Sequence, residues 1–294
     1  NLSSESSLHP GMPGFPTTNR WPKHLQCDFK FYQEDVRKWF HEPLSLEPFD
    51  VVVHLAAVVG GRQMIDNAPL SVAEDLSIDA AMFNWATKAK PKKIVYFSSS
   101  AAYPIGFQTK QYHEKLDECL ISFSSDSDNI GMPDMSYGWS KLTGEFLAKL
   151  AHEKYGLDVV CFRPFSGYGE DQNVVYPFPA ILKRVKNKEN PLEIWSDTVR
   201  DFIYIEDCID GMFHLMNKVS DGSGLNLGVG VATSFSQLAL AAAKLVGYEP
   251  EIKVLDDMPT GVFYRVADTQ LTEELGFKAK TSLEDGIRKV LEFV

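Results

Sequence analysis

Three short apolar runs constrain this chain more than any other feature. FDVVVHLAA (residues 49–57), KKIVYFSSS (92–100) and LDVVCFRPF (157–165) each carry a continuous apolar core without polar alternation. A strand that reads this way is covered on both faces, as in a parallel sheet. Helical patterns separate the runs. Residues 69–89 place Leu70, Val72, Leu76, Ile78 and Met82 at helical spacing, and residues 136–154 read as a long amphipathic helix. Strands alternating with helices predict βαβ units and a doubly wound α/β sheet.

The rhythm breaks twice. Residues 105–133 are polar, with a cluster from Ser124 to Asp128, and read as a long surface insertion. Beyond residue 170 the pattern loosens around Pro177, Pro179 and Pro191, with helices expected at 178–187, 206–217, 234–246 and 282–292. The division is 1–170 for the sheet domain and 171–294 for a smaller α/β region, with segments near 200–230 completing the sheet. Such a region lies over the carboxyl edge of the strands, where ligands bind. Residues 1–24 are rich in Ser, Pro and Gly and read as irregular.

Composition removes several function classes. The chain has 294 residues, is 44% hydrophobic and 23% charged, and carries a net charge of -11. That balance disfavours a broad nucleic-acid or anionic-membrane surface but leaves room for a local basic pocket. No apolar run reaches the roughly 18 residues of a membrane span. Cys27, Cys119, Cys161 and Cys208 are scattered and form no metal-ligand spacing, so free thiols in a reducing, cytoplasmic setting are expected, and no metal.

The chemistry concentrates in Tyr137-Gly-Trp-Ser-Lys141. On a helix, i and i+4 share one face, so the Lys141 ammonium sits beside the Tyr137 phenol and favours phenolate. A phenol so placed is a candidate general acid/base. Ser98, Ser99 and Ser100 end a strand at the edge where substrates bind, and supply hydroxyl donors.

These residues resemble the extended short-chain dehydrogenase/reductase family of nucleotide-sugar epimerases and dehydratases. The signposts stand in order: HLAAVVGG (54–61), FSSSAAYP (97–104), SYGWSK (136–141), RPFSGYG (163–169), RDFIYIEDCIDG (200–211), NLG (226–228) and LGFKAKTSLEDGI. The resemblance implies a Rossmann-like sheet, a homodimer, NAD or NADP as cofactor and a nucleotide-diphosphate sugar as substrate. It implies Ser99, Tyr137 and Lys141 as the catalytic set. It places Asp35 near adenine, and Ala56, Ala57 and Pro164 against the cofactor with Tyr137 and Lys141. It places Ser100, Ser166, Arg200 and Arg265 on the substrate, the arginines suited to phosphate by their forked donors. Asp207 is expected to be a structural helix-start residue. Family dimers pair two helices, with Phe83, Trp85, Phe146 and Leu150 as candidate contacts or as core residues.

Departures narrow the chemistry. The family's first strand and GxxGxxG loop, where a helix N-terminus receives the pyrophosphate, are not found, and the chain begins with Asn. A start lacking roughly 30–50 residues of the βαβ unit is the expectation, against a chain that binds cofactor poorly. The nearest branch resembles GDP-fucose synthase and GDP-mannose 3,5-epimerase, which place Cys where Ala101 stands. The fucose synthase has His where Tyr176 stands. Ser77 falls where many relatives have Asn, as does Ser166. Dehydratases place Asp-Glu where Ser100 and Ala101 stand. The implied activity is therefore 4-epimerisation or 4-keto reduction. The alternatives are a dehydratase or a non-catalytic binding module of the same fold.

Overall fold

The computed structural model describes residues 34–41, 49–60, 62–124, 131–255 and 258–294. The irregular segment expected at 1–24 and the apolar run from Phe29 to Tyr32 lie outside them. In chain order the described strands are β1 (Val51–His54), β2 (Lys93–Phe97), β3 (Val159–Pro164), β4 (Ser166–Tyr168), β5 (Leu192–Ile194), β6 (Val199–Arg200), β7 (Phe202–Tyr204), β8 (Asp221–Leu227), β9 (Thr233–Ser234), β10 (Ile252–Val254) and β11 (Tyr264–Arg265). The helices are α1 (Val36–Trp39), α2 (Arg62–Asn67), α3 (Pro69–Val72), α4 (Asp75–Ala89), α5 (Met135–Tyr155), α6 (Pro177–Lys186), α7 (Ile205–Leu215), α8 (Phe235–Val246), α9 (Gln270–Glu274) and α10 (Leu283–Leu291).

The three apolar runs become adjacent strands of one parallel sheet, ordered β1-β2-β3-β8. Successive side chains leave opposite faces of a strand, so the runs of β2 and β3 feed two cores, while in β1 only Val52 and His54 turn inward and Val51 and Val53 are exposed. Ile94, Tyr96, Val159 and Cys161 pack under α4 and α5 with Met82, Trp85 and Ala148. Val95, Val160 and Phe162 pack on the other side with Cys208, Met212 and Leu215 of α7. Double coverage explains the missing alternation in β2 and β3. It also places the carboxyl ends of β1, β2 and β3 together. A separate core joins α6, α8 and α10 to β4, β5 and β7.

Three expectations need correction. The helix expected over 69–89 is two helices, α3 and α4, separated at Ala73 and Glu74. The break lets Asp75 accept a hydrogen bond from the Val58 N–H at 2.5 Å. Residues 105–133 are not merely a surface insertion, because Gln108 and Leu116 are fully buried. Leu116 donates its N–H to Val266 O and accepts from Asp268 N, while Gln108 O accepts from Phe263 N and Tyr264 N. Backbone pairing with a distant segment thus draws a polar stretch inward. Finally, Phe83 and Trp85 belong to the core under the sheet, which removes them as dimer contacts. Phe146 is exposed.

Candidate active site

The carboxyl end of β2 and the first turns of α5 meet. Ser99 is extended and its Oγ accepts from Ala101 N at 3.1 Å, capping a short 3-10 turn over Ser100–Ala102. Asp134 N donates to Ala101 O at 3.0 Å. At Gly138 a Cβ would collide with that same carbonyl, so only glycine admits the helix this close to the serine turn. The docking brings Ser99 and Ser100, both buried, to the end of α5 that carries Tyr137 and Lys141.

Tyr137 is half-buried and Lys141 is buried. The Lys141 Nζ lies 5.8 Å from the Tyr137 ring centroid and 5.6 Å from that of Tyr96. It donates to Phe97 O at 3.3 Å, the last residue of β2. An ammonium has three N–H donors. One is thus tied to the sheet, which fixes the side chain while others remain to face a ligand.

Ser98 has a different task. Its Oγ donates to Glu145 Oε1 at 2.5 Å, and Glu145 also receives Arg163 at 2.7 and 2.9 Å. Asp75 is fully buried, and its Oδ2 has no hydrogen-bond partner. Burial raises its carboxyl above the ordinary range, opposed by the Val58 N–H and by the Lys141 charge. Ser77, expected to replace the family's Asn, is exposed on α4 and donates to Glu74 O. The polar side chain that α4 turns toward Lys141 is Asp75.

A cluster of arginines lies beside this pair. Asp134 accepts from Arg62 Nη1 and from Arg265 Nη2, each at 3.0 Å. Burial works to raise the Asp134 carboxyl, but the Arg265 and Arg62 guanidiniums outweigh it and hold it below the usual range. Arg265 also donates to Gln108 Oε1 at 2.7 Å, so the buried strap helps aim it. Arg200 donates to the backbone oxygen of Val199 and lies over the Phe235 ring at 5.8 Å. Burial, then the charges of Arg265 and Arg62, push against its protonation, and the Asp134 charge opposes them only in part. Next to the cluster is a cavity of about 310 Å³ lined by Lys110, Trp195, Thr198, Leu255, Gly261 and Phe263.

The remaining candidates are dispersed. Ala56 and Ala57 follow β1 and are half-buried. Pro164 ends β3, opposite Leu227. Ser166 opens β4 and gives its N–H to Asp201 O. Asp35 caps α1, and the Arg37 guanidinium beside it holds its carboxyl down at about 2. Tyr176 precedes α6, and burial pushes its phenol up, with Tyr137 adding to the effect. Asp207 is structural as expected, but it does not cap its own helix. It accepts from Lys280 N and Thr281 N. Sequence reasoning missed Arg62, Asp134, Asp75 and the Trp195 cavity. Arg62 directly after the VVGG loop was the one local signal. Among the described residues no group of His, Cys, Asp and Glu could hold a metal ion, and no helix is long and apolar enough to cross a membrane.

The sequence profile of the NAD dependent epimerase/dehydratase family matches residues 16–228. A GDP-L-fucose synthase from Sinorhizobium fredii is 26% identical over 271 residues, covering 88% of this chain and 82% of that one. A UDP-glucose 4-epimerase from Thermotoga maritima, solved with UDP-glucose, superposes with a TM-score of 0.75 at 23% identity, over 90% of this chain and 83% of that one. A UDP-glucuronic acid 4-epimerase from Bacillus cereus, solved with NAD and a fluorinated UDP-sugar, gives 0.70 at 25% identity, over 88% and 78%.

Proposed function

Because the chain belongs to the NAD dependent epimerase/dehydratase family, we propose that it is a nucleotide-sugar 4-epimerase or 4-ketoreductase with Tyr137 as its general acid/base. The observation that carries this reading is the docking of the Ser99 turn onto the Tyr137/Lys141 face of α5. Tyr137 takes the proton of the sugar hydroxyl being oxidised and returns it to the ketone oxygen on reduction. The Ser99 hydroxyl donates to the same oxygen, since its lone pair already receives Ala101 N. Lys141 sets its ammonium beside the Tyr137 ring.

The residues at the strand ends fit a nicotinamide cofactor at its ribose end. Lys141 retains donors for ribose hydroxyls, and Ala56 and Ala57 admit a ligand close to the backbone after β1. When bound, NAD or NADP supplies the hydride acceptor and donor. Everything else falls to the chain: Arg200 and Arg265 hold the substrate's diphosphate, Ser100 and Ser166 border the sugar, and the Trp195 cavity takes the nucleoside. Asp35 meets adenine only by leaving Arg37.

Elimination of water and double epimerisation each need a further acid or base beside the serine turn. That place is held by Ala101, which is buried and carries no proton. The same reading includes a cytoplasmic enzyme and a homodimer through α4 and α5, with Phe146 rather than the core residues Phe83 and Trp85 at the contact. The test is incubation with UDP- and GDP-linked hexoses, uronates and 4-keto sugars, with NAD or NADP(H), and chromatography of the products. A C4 epimer or a C4 alcohol is expected. No turnover of any sugar nucleotide with either cofactor overturns the proposal.

A further inference from the structure

Arg62 opens α2 in the segment following β1, on the side of the site assigned above to the cofactor, yet its guanidinium reaches Asp134 immediately before the Tyr137 helix. Its second partner is Asp66, at 2.8 Å. Asp134 shares its carboxylate between Arg62 and Arg265, while Arg200 has a backbone carbonyl and an aromatic face. Cations gathered around so few anions are stable when a further anion joins them. The backbone of Gly261 approaches the same point: a Cβ there would lie 3.3 Å from Arg62 Nη1 and 3.8 Å from Arg200 Nη2. Gly261 has φ of +66°, a left-handed conformation that suits glycine, and it lines the Trp195 cavity. Arg62 and Arg200 therefore converge on one spot at the mouth of that cavity.

We propose that Arg62 is a third diphosphate-binding residue, and that Asp134 holds its guanidinium and that of Arg265 in the place the substrate's phosphate oxygens take. This rests on the nucleotide-sugar reading above and adds a residue to it. Arg62 lies on α2 and Arg265 on β11, so a bound diphosphate would bridge the segment after β1 to the C-terminal region. Asp134 shares its carboxylate with both arginines, so it competes with the incoming anion as well as orienting its binders.

The test is calorimetric titration of UDP and GDP, with uridine and guanosine as phosphate-free controls, into the wild-type chain and its variants. Arg62→Gln should weaken binding of the preferred diphosphate about tenfold and leave the nucleoside unchanged. Arg62→Lys should recover part of the loss. Asp134→Asn keeps a neutral acceptor oxygen for the guanidiniums while the competing charge is gone, so it should bind the diphosphate more tightly. Melting temperatures of all variants separate binding loss from unfolding. If Arg62→Gln binds like wild type while Arg200→Gln does not, Arg62 has no such role and the site reading stands. If Arg62→Gln and Asp134→Asn weaken binding equally, Arg62 only supports the start of the helix and the proposal is wrong. If the wild-type chain binds neither UDP nor GDP, the nucleotide-sugar reading itself fails.

Discussion

Arg163 is a buried cation and Arg200 a half-buried one, and their surroundings differ in kind. Arg163 is 2% exposed and is fully answered: Glu145 accepts from its Nε and Nη2, and Tyr103 Oη and Glu118 O accept from its Nη1. Burial alone would depress its ionisation, but the Glu145 charge more than offsets this and raises it. Arg200 has Val199 O and faces other guanidiniums, and its ionisation is pushed the opposite way. A buried charge with a complete partner set holds the fold together. One without such a set marks where a ligand belongs.

The contrast can be broken by mutation. Glu145→Gln leaves Arg163 buried without its anion and should cost about 3–5 kcal/mol in denaturant unfolding. Arg200→Gln should change stability by no more than about 0.5 kcal/mol, while weakening UDP or GDP binding about tenfold or more. Equal destabilisation by the two would dissolve the distinction. The adjacent serines repeat the comparison on a smaller scale. Ser98→Ala removes a donor to Glu145 and should cost about 1–2 kcal/mol. Ser99→Ala loses the cap on Ala101 N and should cost no more than about 1 kcal/mol, while slowing turnover about tenfold to a hundredfold.

Asp75 gives the smallest effect. A carboxyl raised by burial binds its proton more tightly folded than unfolded. Stability is then lost as pH rises from the unfolded value through the folded one. Asp75→Asn cannot ionise, so the stability difference should move in the variant's favour as pH rises above the ordinary carboxylate range. Parallel stability profiles for variant and wild type would mean that the Lys141 charge compensates the carboxylate fully.

Where the sequence was legible, the information was local. β2 and β3 could be read because coverage on both faces leaves an unbroken apolar run. Tyr137 and Lys141 could be read because four residues make one helical turn. The arginine site could be read only in part, through Arg200 and Arg265 in family motifs and not through Arg62 or Asp134. Arg62 and Asp134 are 72 residues apart, and Arg265 and Asp134 are 131 apart. Their meeting depends on how α2, α5 and β11 converge. The strap through Gln108 and Leu116 was misread for a related reason. Its burial comes from backbone bonds to residues 263–268, which leave no mark on side-chain polarity. At Asp75 a break between α3 and α4 shifted the face of the helix, so Ser77 points outward instead.

The most direct test is the turnover of Tyr137→Phe beside wild type, on the sugar nucleotide that wild type converts best and with its cofactor supplied. Loss of the phenolic proton carrier should slow turnover about a hundredfold to ten-thousandfold, with the melting temperature and the affinity for UDP or GDP unchanged. Turnover at the wild-type rate would show that Tyr137 does not move the proton.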